Sequence, residues 1–139
     1  MVKYFIDENK ELIKAELLDV DAKAIAETFV ERFRSGEINE KGAKTLSSAQ
    51  LRRFYGDFKQ IEKKVNTHGF AKVKPLIKMV KSKAAYASNP KRQGRITDTF
   101  KKFLQDNVDA INDEKDFMAF MLHFEAVVGF YYGLGVSNR

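Results

Sequence analysis

Cysteine is absent from the chain, which excludes disulfides, thiolate nucleophiles and cysteine-based metal sites. That absence fits a reducing compartment, and a cytoplasmic location is the expectation. No apolar run suited to a signal peptide opens the sequence; "MVKYFIDENKELIK" mixes charges of both signs. Histidine occurs only as His68 and His123, with no HxxxH or HExxH spacing to place two ligands on one helical turn. His68, in "NTHG", reads as an exposed turn residue, and His123, on an apolar stretch, as a satisfied interior or interface residue. No glycine-rich phosphate loop is present: the GxG of "YYGLGV" has no strand before it and no helix opening after it. RNP, KH and helix-turn-helix signatures are missing too. The sequence therefore predicts no enzyme, no catalytic residue, no metal and no cofactor.

Acidic residues cluster only as a rim, Asp106, Asp109, Asp113, Glu114 and Asp116, where helix N-termini favour them for dipole reasons more simply than a cation would. One apolar stretch, residues 117–136, is long enough to span a bilayer. Glu125 and His123 sit near its middle, where a charge costs at least ~3 kcal/mol, and no lysine or arginine cluster flanks it. It reads as a buried helix, with no membrane partner.

What is present is an amphipathic pattern. With 139 residues, 44% hydrophobic and 32% charged, the chain can bury the core of one domain. The expected fold class is all-α, a bundle of about five helices in a single domain over 1–139, with 1–18 as an irregular start. Before Asp19 the pattern is unresolved: "VKYFID" fits an extended stretch and "NKELIKAELL" a short helix. From Asp19, Ala22, Ile25, Ala26, Phe29, Val30 and Phe33 fall on one helical face, with Gly36 as the stop. The next helix has Ser47 as N-cap, Gln50 completing a capping box, and Leu46 with Leu51 as a hydrophobic staple. Its apolar stripe is Leu51, Phe54, Tyr55, Phe58, Ile61 and Val65. "NTHG" breaks the chain. A third helix is expected from Pro75, a first-turn residue, to Ala87, packing Leu76, Ile77, Val80 and Ala84. A loop over "SNPKRQG", a helix after Thr97, and a helix from Asn112 or Asp113 to about Tyr132 complete the bundle. The last helix is apolar almost all round, as a central core helix or one shared with a second protein would be.

Charge is the informative feature. The formal net charge is +6, yet from Lys63 to Thr97 there are ten lysines and arginines and no Asp or Glu. Such segregation is the electrostatic footprint of a polyanion-binding surface. Arg52, Lys59 and Lys63 fall within about 40° of each other on their helix, and Gly56 beside them leaves room for another backbone. Lys74, Lys78 and Lys81 fall within about 60° on the next, and Lys91, Arg92 and Arg95 crowd the loop that follows. Together these are expected to form one surface for a nucleic-acid backbone, without sequence readout. Tyr86 and Phe70 offer stacking surfaces for bases, although such residues are more often core. Arg53 points about 100° away from Arg52, so the two are not expected to act as a pair.

Three motifs, "LSSAQLRRF" (Leu46 to Phe54), "KSKAAYA" (Lys81 to Ala87) and "DFMAFMLHFEAVVGFYY" (Asp116 to Tyr132), resemble the small subunit of the type III-A CRISPR interference complex. The resemblance covers residues 45 to 132; the first 40 residues match loosely, and "SNPKRQGR" is an insertion relative to the family pattern. It implies a non-catalytic helical bundle that stacks on its own kind along a guide RNA, beside other effector subunits. It would help hold target RNA through the RNA backbone. By motif position Arg52, Lys81, Lys83 and either Arg92 or Arg95 would face RNA; Lys59, Lys63, Lys74 and Lys78 come from the stripes alone. The rival reading is a helical protein–protein adaptor that docks through the last helix, since Val127, Val128, Phe130, Tyr131 and Tyr132 cannot all face one core.

Overall fold

The computed structural model describes residues 2–136. Among these residues the regular structure is helical throughout, with two isolated antiparallel bridges and no sheet. A 3-10 helix (Ala15–Leu18) precedes α1 (Val20–Glu27), α2 (Ser48–His68), α3 (Phe70–Ala87), α4 (Asp98–Ala110) and α5 (Glu114–Gly133). The all-α bundle expected from the sequence is the observed fold.

Three helix starts follow from their capping side chains. Ser47 Oγ accepts from Gln50 N, Thr97 Oγ1 from Phe100 N, and an Asp113 carboxylate oxygen from Asp116 N, each filling a donor the first turn leaves open. Leu46 and Leu51 are both fully buried, as a staple requires. The Gln50 amide does something the capping box does not anticipate: it donates to Gly94 O at 2.7 Å and ties the head of α2 to the loop before α4.

Elsewhere the pattern misleads. The helix expected to reach Phe33 ends at Glu27. Its next carbonyls are taken by a returning strand-like segment, with Leu46 N on Phe29 O (2.8 Å) and Asn39 N on Glu31 O (2.7 Å). A tight turn through Gly36, at φ 96°, pairs Arg32 with Ile38 and leaves Phe33 half exposed. Pro75 does not open α3. The helix begins at Phe70 directly after Gly69, and Pro75 lies inside it on an exposed side. Its missing N–H costs the bond to the Ala71 carbonyl, and Ala71 is exposed where water can serve it. Leu76 points outward and Val73 packs in its place. Before Asp19, Phe5 bridges to Ile13, and the short helix shrinks to the 3-10 turn.

α5 is the centre of the core. It packs against α1, α2 and the 3-10 helix. Its rings interlock edge to face with their neighbours, Phe120 with Phe58 at 4.9 Å and Phe124 with Tyr55 at 5.3 Å, while Phe103 of α4 lies 5.4 Å from Phe124. Val127, Val128 and Tyr131 are buried and Phe130 half-buried, leaving Tyr132 exposed. No helix among the described residues is long and apolar enough to cross a membrane.

Candidate nucleic-acid interface

α2 and α3 form a helical hairpin whose only break is Gly69, at φ 89° and ψ 153°, a conformation that glycine alone adopts without strain. The hairpin and the loop behind it enclose a cleft of about 440 Å³. Arg53 and Asp57 line it from α2, Ser82, Lys83 and Tyr86 from α3, and Arg92 from the loop. Tyr86 is 69% exposed, and the Arg92 guanidinium lies over its ring, 4.7 Å from the centroid. That spacing is a cation–π contact. The loop is fastened at several points besides Gln50: Arg92 N donates to Asn89 O, Ile96 N to Ala87 O, and Arg95 Nη1 to Ser88 O. Gly94, at φ 65°, allows the turn.

The lysine stripe of α3 faces elsewhere. Lys78 Nζ donates to Val108 O (2.7 Å) and Ile111 O (3.0 Å), Lys74 Nζ to Asn112 O (3.3 Å), and Lys81 pairs with Asp109 at 2.6 Å. Three ammonium groups thus gather at the C-terminus of α4, where the last carbonyls lack helical partners and the dipole is negative. Burial pushes the Lys78 ammonium below its ordinary range, and Lys74 and Lys81 add to the effect against Asp109. On α2, Lys59 pairs with Glu62 at 2.8 Å, which holds its ammonium above the usual range, and shares a shallow groove with Met118, Leu122 and Glu125 of α5. Arg52 and Lys63 are exposed on the same helix. Arg95, besides bonding Ser88 O, lies 3.8 Å from Asp98. One stripe therefore lies along the α2–α5 border and the other along the α3–α4 seam. The structure does not bring them together. Lys83 and Arg92 do converge, and Arg53 and Tyr86 join them.

Three motifs of the sequence meet in this architecture. Leu46, from the first, accepts a hydrogen bond from the Tyr131 hydroxyl of the third, so the head of α2 is anchored to the end of α5. The second motif forms the last turns of α3 and supplies Lys83 and Tyr86 to the cleft. The family model for Csm2 Type III-A matches residues 14–133. The chain belongs to the Csm2 Type III-A family. It is therefore a small subunit of a type III-A CRISPR effector complex, whose partners are the other subunits of that complex. No curated protein and no solved structure matches it. The family match begins at Lys14, so α1 and the 3-10 helix, which the three motifs left out, are part of this Csm2 fold.

Several other titratable groups of this Csm2 chain are bonded within the fold. His123 is buried, with Nδ1 2.6 Å from Leu17 O; because a carbonyl only accepts, Nδ1 carries the proton. His68 is exposed in the last turn of α2. Four acids of the rim are held by cations: Asp106 by Lys102, Asp109 by Lys81, and Asp113 and Asp116 by Lys10. A cavity of about 610 Å³ opens between the N-terminal segment, α1 and α4. Asn107 and His123 in its wall are already bonded, Asn107 Nδ2 to Phe103 O and His123 to Leu17 O.

Arg53 is the residue sequence reasoning set aside. Its signal was negative: it lay off the stripe shared by Arg52, Lys59 and Lys63. Only the position of α3 beside α2 turns that outlying direction into the wall of a cleft.

Proposed function

We propose that this subunit binds the RNA backbone without sequence readout and does no bond-breaking chemistry, working in the cytoplasm as one of several stacked copies along the guide–target duplex. The observation that carries this reading is the convergence of Arg53, Lys83 and Arg92, from three separate segments, on one cleft within or beside the acid-free part of the chain. Three cations face one carboxylate there, Asp57, which favours an anionic ligand. Arg52 and Lys63 would extend the contact along the α2 edge, while Lys59, paired with Glu62, and Arg95, bonded to Ser88 O, would act mainly through their potential. Lys74, Lys78 and Lys81 would add positive potential from the α4 seam more than direct phosphate contacts, because their ammonium groups already have partners.

Salt dependence tests it. Each phosphate neutralised on a single strand contributes about 0.7 to the slope of log affinity against log salt. Lys83→Ala with Arg92→Ala should flatten that slope for RNAs of unrelated sequence alike. An unchanged slope and affinity, both for the isolated chain and within the assembled complex, would refute the reading.

A second reading has its own observation. Met118, Leu122, Glu125, Gly129 and Tyr132 form an exposed stripe on α5, apolar except for Glu125, which suits an adaptor docking on a neighbouring protein. Leu122→Glu should then lower the solution mass or release effector subunits, while leaving RNA salt dependence intact.

A further inference from the structure

The ring of Tyr86 is not packed into the core. It projects from the last turn of α3, 69% exposed, and its hydroxyl bonds no other described residue. Phe70, the other aromatic side chain considered for stacking, is half-buried against Phe117 and belongs to the core. Yet Tyr86 is held in place: Arg92 covers it at 4.7 Å, on a loop fastened by Gln50, Ala87 and Ser88. The ring is therefore pre-ordered at the mouth of a cleft that also contains Arg53 and Lys83 as cations, and Asp57 and Ser82 as hydrogen-bonding groups.

A flat apolar surface next to excess positive charge matches a ligand that is itself part flat ring and part anion. A nucleotide has that composition, and both tyrosine rings and guanidinium planes stack on bases. We propose that Tyr86 and Arg92 form a stacking platform for one unpaired nucleobase of an RNA strand, with Arg53 and Lys83 on the adjoining phosphates. The inference rests on the RNA-binding reading above and deepens it, because backbone contact alone gives the ring no role. A base inside a duplex has both faces covered by its neighbours. The platform therefore takes a base from a single-stranded stretch or one displaced from the pairing. Stacking is indifferent to base identity, so the contact adds affinity for unpaired RNA without adding sequence specificity.

The probe is a short oligouridylate, compared with a strand of the same length made of abasic ribose phosphates, so that charge is equal and only the bases differ. Both are titrated into the full chain and into its Tyr86→Ala and Tyr86→Phe variants across a salt series. Tyr86→Ala should weaken oligouridylate binding roughly five-fold or more with no change in salt slope, and Tyr86→Phe should bind as wild type does. On the abasic strand all three should bind alike. Equal binding of oligouridylate by wild type and Tyr86→Ala overturns the proposal. So does an equal loss on the abasic strand, which would make the ring a mere brace for Arg92. If wild type shows no salt-dependent binding to either strand, alone and within the assembled complex, the RNA-binding reading falls and takes this proposal with it. Salt-dependent binding indifferent to Tyr86 removes this proposal alone.

Discussion

Lys81 Nζ and Asp109 Oδ1 lie 2.6 Å apart across the seam between α3 and α4. Two residues further along α3, Lys83 lies in the cleft beside Tyr86. Neighbours in sequence thus have different surroundings, one bridging two helices and the other exposed in the cleft.

That division predicts opposite phenotypes. Lys78→Met removes the donor shared by Val108 O and Ile111 O, and should lower unfolding free energy in urea by about 1–2 kcal/mol. Lys83→Ala should stay within about 0.5 kcal/mol of wild type, as exposed substitutions do, while flattening the RNA salt slope. Lys81→Ala should fall between them, since an exposed pair contributes at most ~1 kcal/mol.

Two glycines should respond with opposite signs. At Gly56, inside α2, an added methyl group meets nothing within 4 Å, so Gly56→Ala should stabilise the isolated chain by about 0.5–1 kcal/mol, seen as a rise in Tm. Gly69 has equal space, but its φ of 89° is closed to a side chain. Gly69→Ala should cost about 1 kcal/mol or more. If Gly56 admits another backbone in the assembled effector, the stabilised Gly56→Ala chain should also incorporate less well, read by co-purification.

His123 gives a pH dependence. Burial lowers its pKa from 6.5, against the raising effects of the Leu17 carbonyl and Asp21. The unfolded chain therefore takes up the proton first, and stability falls as pH drops below about 6.5 until the folded imidazole also titrates. His123→Asn, whose amide can still donate toward Leu17 O, should show a shallower loss of stability between about pH 7 and pH 5. Identical slopes for the two chains would contradict this.

Lys10 clips the N-terminal hairpin to the head of α5, with Asp113 at 2.6 Å and the buried Asp116 at 3.0 Å. Burial opposes ionisation of Asp113, but Lys10 and the Asp116 N–H bond outweigh it and hold its carboxyl below the ordinary range. Lys10→Met should cost about 1–2 kcal/mol near neutral pH, because a buried carboxylate loses its cation. The difference from wild type should shrink as acid protonates Asp113, whose lowered pKa contributes stability that is lost as pH falls through it.

Local signals were legible in the sequence where the chain satisfies itself within a turn. Ser47, Thr97 and Asp113 cap helices through atoms three residues away, and periodicity located Leu51, Phe54 and Phe58. Signals that depend on a distant partner were not legible. α1 stops short because Leu46 N, seventeen residues on, claims the Phe29 carbonyl. Lys74, Lys78 and Lys81 form a polar stripe on a helical wheel, and nothing local says that α4 ends opposite them. For the same reason Arg53 read as a stray cation until α3 was placed beside it. Gly69 also let α3 begin at once, so Pro75 marked no boundary.

The position of α5 has a consequence for the order in which the chain can mature. Leu17 bonds to His123 across 106 residues, and Tyr4 to Asn107 across 103. Phe29, Leu46 and Phe58 also lean on residues of the last helix. A nascent chain can form the α2–α3 hairpin early, but its first segments lack their full set of supports until α4 and then α5 have been synthesised. Until then the cations of α2 and α3 would be on display above an unfinished interior. Formation of the hairpin and completion of the core are therefore separable events, with the hairpin first in the order of synthesis.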